Sequence, residues 1–131
     1  MLPRHWRLHA TQAESRMIAA ATLRRLGRVR DAKAALTDVN LSQASREVAL
    51  GFIASQAANA GAAGDPVAAR ELAATIIGDS AIAARTKALC EIAAGNAAGA
   101  RAALDPLIRG ELAGVSVDDY LLAADLALRE N

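Results

Sequence analysis

An all-α fold, a stack of antiparallel helix hairpins with six to seven helices in one domain, is what this sequence predicts. Three observations predict it. Alanine, the best helix former, supplies 35 of the 131 residues. Apolar residues recur at i, i+3, i+4 and i+7 through most of the chain, which is helical and not strand spacing. Finally, Gly64-Asp65-Pro66-Val67-Ala68-Ala69-Arg70-Glu71-Leu72-Ala73 reads as a turn followed by a helix start. Glycine closes the preceding helix, aspartate caps the next, and proline takes the first helical position, where its missing N–H costs nothing.

Residues 1–9 are expected to form a loose arm. A first helix is expected from about Leu8 or Ala10 to Leu26, with Ile18, Ala19, Thr22, Leu23 and Leu26 as its apolar stripe. Gly27 breaks it. A second helix follows from Val29 to Val39, with Val29, Ala32, Leu36 and Val39 on one face, and Asn40 or Ser42 is positioned to cap a third. The third helix covers Gln43 to Ala60, with Val48, Ala49, Phe52, Ile53 and Ala57 inward. Gly51 marks the place where a neighbouring helix approaches, and Gly61-Ala62-Ala63-Gly64 is the linker.

The fourth helix is expected over Asp65–Ile77, with Ala69, Leu72, Ala73 and Ile76 inward and Gly78 as its stop. Asp79 or Ser80 caps a fifth over Ala81–Ala94, with Ile82, Leu89, Ile92 and Ala93 inward. Gly95-Asn96 opens a sixth, whose stripe is Ala100, Ala103, Leu104 and Leu107. Pro106 cannot continue that helix without cost, so a kink or a restart at Asp105-Pro106 is expected. Gly110 and Gly114 bracket a short segment. A capping-box variant, Ser116 with Asp119, then starts a last helix over Val117–Glu130. Tyr120, Leu121, Ala124 and Leu128 are its stripe, widened by Leu122 and Leu126.

Three segments align without gaps on Gly27, Gly64 and Gly95. Each places alanine five residues on, at Ala32, Ala69 and Ala100, and the separations of 37 and 31 average 34. That period, two helices per unit, is the tetratricopeptide length. Over about residues 10–130 the chain resembles the tetratricopeptide (TPR-like) superfamily. The units are 10–39, 43–77 and 80–109, with a terminal helix at 116–130. The aromatic positions of the family consensus are occupied here by leucine or alanine. The resemblance implies a right-handed solenoid segment and a protein-binding role as adaptor, scaffold or chaperone. The partner's peptide or helix would lie on the concave surface lined by the first helices of the hairpins. By that analogy Arg24, Arg25, Gln56, Asn59, Arg85 and Lys87 are the candidate contacts. The family's peptide-carboxylate clamp does not match residue by residue, so that specificity does not carry over. A shorter likeness joins Ala88-Leu89-Cys90-Glu91, Gly95 and the run to Leu104 to the small TPR-like chaperones of type III secretion needle subunits.

Charge is uneven. Residues 1–33 carry eight basic side chains against two acidic, and residues 34–131 carry seven against twelve. The basic third, with Arg4, Trp6, Arg7, Arg16, Arg24, Arg25, Arg28 and Arg30, suits an acidic protein partner, or alternatively nucleic acid through phosphate contacts and base stacking. Arginine outnumbers lysine thirteen to two, a composition associated with GC-rich bacterial genomes. No apolar run reaches the ~18 residues of a membrane span, and the N-terminus lacks a secretory core, so a cytoplasmic location and no membrane partner are expected. Self-association is expected, if anywhere, through the last helix.

No motif points to catalysis, a metal or a cofactor. His5 and His9 share a helical spacing without a third ligand or the glutamate of a zinc motif. Asp118-Asp119 reads as an acid pair favouring a helix N-terminus. Cys90 falls in an apolar helical pattern and reads as a small buried thiol. A non-enzymatic protein is expected.

Overall fold

A computed structural model describes residues 12–42 and 44–130. Among them are seven α-helices and no strand: α1 Gln12–Arg25, α2 Val29–Ala35, α3 Arg46–Ala62, α4 Pro66–Ala74, α5 Ala81–Ala93, α6 Ala97–Ile108 and α7 Val117–Arg129. The odd helices pack in series, α1 on α3 and α3 on α5. Each even helix packs on the odd helix before it and also touches the odd helix after it. Contact among α2, α4 and α6 is at most marginal. Space is therefore left between successive even helices.

The turns follow from local chemistry. After α1, α3 and α5, a glycine at positive φ (Gly27 78°, Gly64 78°, Gly95 73°) reverses the chain, a conformation that any Cβ would strain. In each turn the residue after the glycine donates its N–H to the carbonyl five residues back: Arg28 to Leu23, Asp65 to Ala60 and Asn96 to Glu91, all at 2.9 Å. This satisfies carbonyls that the helix end would otherwise orphan. Asp65 Oδ1 then accepts from the Ala68 amide, and Asn96 Oδ1 from the Gly99 amide, both at 3.1 Å. Arg28 occupies the same position without a side-chain cap and pairs instead with Asp31 at 2.7 Å. Five residues after each glycine, Ala32, Ala69 and Ala100 are all fully buried. A methyl group is what lets an even helix sit that close to its neighbour.

The core is three adjoining clusters. Phe52 and Leu36 centre the first, Leu50, Ile76 and Cys90 the second, and Leu104, Leu107 and Leu126 the third. Fully burying one such leucine contributes roughly 1.5–3 kcal/mol, and alanine much less.

Several expectations are corrected. In α1 the buried residues are Ala13 and Ala20, whereas Ile18 and Leu26 are exposed. Polar and apolar residues are interspersed around α1, so its pattern does not set its rotation. The second helix stops at Ala35 and not Val39, because Asp38 enters the left-handed region at φ 58°. The third starts at Arg46, capped by Ser45, which accepts from Val48 N at 3.2 Å, and not from Asn40 or Ser42. It runs on through Gly61 to Ala62, so the first half of the expected linker is helix. Leu50, not Val48, is its deeply buried aliphatic.

The close approach lies at Gly61, where an added Cβ would stand 2.5 Å from the Ala93 carbonyl oxygen. At Gly51 the nearest atom would be Met17 Sδ at 3.7 Å, an ordinary contact. The fourth helix ends at Ala74, before Ile77. In α5 Leu89 is exposed and Cys90 buried. Helix α6 passes through Pro106 without a break or restart. Proline leaves the carbonyl one turn back without its donor, and that residue, Ala102, is exposed to water. In α7 the expected stripe points outward: Tyr120, Leu121 and Leu128 are exposed, and Leu126 is the buried residue.

Candidate partner-binding grooves

Two grooves fill the gaps between the even helices. The first has α2 and the turn after it as one wall (Arg30 and Lys33, then Leu36, Thr37 and Asp38), α4 with its cap Asp65 as the other (Ala68, Leu72) and α3 as floor (Gln56, Asn59, Ala60). Its volume is about 680 Å³. The second, also about 680 Å³, lies between α4 (Val67, Arg70, Ala73, Ala74) and α6 (Asn96, Gly99, Ala103) over Lys87 and Glu91 of α5.

The two are one site written twice. Counted from Gly27 and Gly64, Arg30, Lys33, Leu36 and Thr37 correspond to Val67, Arg70, Ala73 and Ala74. Counted from Gly64 and Gly95, Gln56 and Ala60 correspond to Lys87 and Glu91, and Asp65, Ala68 and Leu72 to Asn96, Gly99 and Ala103. The repeat that sets the turn also sets what lines the space beside it.

The chemistry differs between the copies. In the first groove, Arg30 and Lys33 stand on the exposed rim, and among the described residues neither side chain has a hydrogen-bond or ion-pair partner, unlike neighbouring Arg28. Leu36 and Leu72 supply apolar wall. Asn59 is 4% exposed, and its Oδ1 accepts from Arg24 Nη1 at 2.6 Å. A guanidinium only donates, which fixes the amide's orientation. The Asn59 Nδ2 group is then a buried donor without a partner among the described residues. In the second groove one cation and one acid, Arg70 and Glu91, are engaged with each other. Glu91 accepts from Asn96 Nδ2 at 2.6 Å and lies 3.8 Å from Arg70 Nε. Gly99 leaves room for this, since a Cβ there would fall 2.5 Å from Glu91 Oε2.

The six residues expected to contact a partner do not share one surface. Gln56 and Asn59 line the first groove and Lys87 the second, where its ammonium donates to the Gly78 carbonyl at 3.4 Å. Arg24 reaches a shallow depression on the odd-helix side, beside Ser55, Ala58 and Leu89. Arg25 is exposed on α1. Arg85 is turned inward: Nε and Nη2 donate to Asp119 Oδ1 and Oδ2 at 2.9 and 2.7 Å, and Nη2 also reaches the Gly114 carbonyl.

Asp119, read from sequence as a helix-dipole residue, is thus a buried ion-pair partner. It also accepts from the Ser116 amide at 2.9 Å. The Arg85 hydrogen bonds hold its carboxyl down at about 2, against the opposing effect of burial. Asp119 in turn raises the Arg85 pKa. Burial pushes the Cys90 thiol up to about 11.

Sequence reasoning counted Arg30 in the basic third and gave Lys33 no role of its own, and it placed neither in a groove. The equal offsets from Gly27 and Gly64 were the signal that relates them to groove positions. His5, His9, Arg4, Trp6 and Arg7 lie outside the described residues. Among the described residues no three histidine, cysteine or acidic side chains converge as metal ligands. No described helix is long and apolar enough to cross a membrane. Comparison with protein-family models, curated proteins and solved structures finds no match to the chain in any of the three.

Proposed function

We propose that this chain is a non-enzymatic, TPR-like protein-interaction module that seats a segment of a partner protein in the first groove, between α2 and α4. The observation carrying this reading is an open groove of about 680 Å³ whose α2 side holds two cations, Arg30 and Lys33, without a side-chain partner among the described residues, against the single acid Asp38 in the turn that follows. Leu36 and Leu72 flank them, so the segment that fits is apolar with acidic residues toward α2. The charge complementarity steers encounter and register, and the leucines supply burial. Recurrence of the groove one repeat along supports an extended partner segment that crosses α4. This places the contact between the second helices of the hairpins, in place of the surface of the first helices that family analogy suggested.

Selection from a random-peptide display library against the purified chain tests the proposal. Enriched peptides are expected to combine Asp or Glu with large apolar residues. Their affinity is expected to drop at least tenfold in Arg30→Glu/Lys33→Glu and in Ala60→Trp, which fills the floor, with circular dichroism confirming that both variants remain helical. Failure to enrich any peptide, or peptides indifferent to both variants, overturns it.

A further inference from the structure

The floor of the first groove holds a polar group that no other described residue uses. Asn59 lines that floor and is 4% exposed. Its Oδ1 is taken by Arg24 Nη1 at 2.6 Å, while Nδ2 is closed to water and has no partner among the described residues. Buried donors in folded proteins are nearly always paired, and an orphan on the floor of an open groove has a place for an acceptor from outside. The amide is planar, so Nδ2 is directed away from Arg24. Arg24 also polarises it: a cation donating to Oδ1 makes Nδ2 a stronger donor and favours an anionic acceptor.

The second groove holds such an acceptor already. There the Glu91 carboxylate accepts from an asparagine amide, Asn96 Nδ2, at 2.6 Å and faces Arg70 Nε at 3.8 Å. Counted from their glycines, Arg70 corresponds to Lys33 and Glu91 to Ala60. The first groove thus has a cation and an asparagine donor, but a methyl group where the second has its acid. The amide there comes from Asn59, and Asp65 stands in the place of Asn96. Like charge at Asp65 keeps an incoming carboxylate toward α2, on the side of Lys33 and Arg30.

We propose that Asn59 is a carboxylate-binding position: one Asp or Glu side chain of the partner segment reaches the floor of the first groove and accepts from Nδ2. Lys33 and Arg30 on the α2 wall offset its charge. This rests on the groove reading above and adds a fixed point to it, since the one acid that is buried sets the register of the segment. Reaching Nδ2 requires the walls to part, and α2 and α4 touch each other at most marginally.

The probe is the tightest peptide from the display selection, with each of its acids replaced in turn by the corresponding amide. Against wild type, one replacement is expected to weaken binding about tenfold or more, as loss of a hydrogen bond to a charged group does. Against Asn59→Ala the same replacement is expected to cost less than about threefold, while the others cost the same against both chains. An asparagine with a purely structural role gives no such coupling. Circular dichroism checks the fold of Asn59→Ala, and NMR of wild type gives a reading that needs no variant: the Asn59 side-chain amide protons are expected to move downfield at saturation with the peptide. Two results overturn the inference and leave the groove reading standing: peptides that respond to Arg30→Glu/Lys33→Glu and Ala60→Trp but carry no acid coupled to Asn59, or an Asn59 amide signal that stays in place at saturation. A selection that enriches no peptide removes both.

Discussion

Replacing Asp119 with asparagine removes a charge that two distant parts of the chain share. Its carboxylate ties α7 to Arg85 of α5, at 2.7 and 2.9 Å, while accepting the Ser116 amide that starts α7. The size of the effect follows from the pKa. A carboxyl lowered from 3.8 to about 2 gains, at ~1.4 kcal/mol per unit, about 2.5 kcal/mol as a ceiling. The Arg85 side chain is 37% exposed, and water screens it, which brings the expected loss to about 1–2 kcal/mol. The sign is that of a depressed acid. The stabilisation is complete above the ordinary value of 3.8 and disappears as pH falls through about 2. Urea unfolding of wild type, Asp119→Asn, Arg85→Met and the double variant at pH 7 gives the coupling directly. Repeating wild type and Asp119→Asn between pH 5 and pH 2 shows their difference shrinking. A coupling below about 0.5 kcal/mol, as for an ordinary surface pair, or a difference that does not narrow on acidification, refutes the reasoning.

Gly61→Ala is expected to destabilise by about 1–3 kcal/mol, because the new methyl meets the Ala93 backbone and the helix-propensity gain of ~1 kcal/mol does not offset that. Gly51→Ala, ten residues earlier on the same helix, is expected to stabilise by ~0.5–1 kcal/mol, and denaturant midpoints read both signs. Gly64→Ala forces a Cβ into φ 78° and is expected to lower stability by about 1 kcal/mol or more, with the same assay showing whether the turn tolerates it. Cys90 is fully buried, with its thiol held protonated to about 11. At pH 8 it is expected to resist a thiol reagent in the native protein and to react at once in urea; complete native labelling within seconds would contradict its placement.

The chain's helical class, its glycine turns and most of its caps were legible from sequence because each depends on a few adjacent residues. Gly64, Asp65 and Pro66 act on their own backbone and need no tertiary partner to be understood. The same holds for Gly95-Asn96 and for Ser116 with Asp119. The buried alanines at 32, 69 and 100 followed from the glycine period for the same reason.

The candidate site was legible only in part. Gln56, Asn59 and Lys87 do line grooves, but Arg30 was read only as part of the basic third and Lys33 was given no role, since a rim exists only once α2 and α4 stand apart across α3. Asn59 meets Arg24 across 35 residues and Asp119 meets Arg85 across 34. No local pattern marks either pair, and the acid pair at 118–119 already had a sufficient local explanation.

Helix rotation was the other decision left to the tertiary structure. In α1 polar and apolar residues are interspersed around the helix, and in α7 Leu121 and Leu128 compete with Leu122 and Leu126, each pair at a helical spacing. Local propensity determined that these segments are helices and where the chain turns. Which face is buried depended on the shape of the neighbouring helix, and that is information no single segment holds.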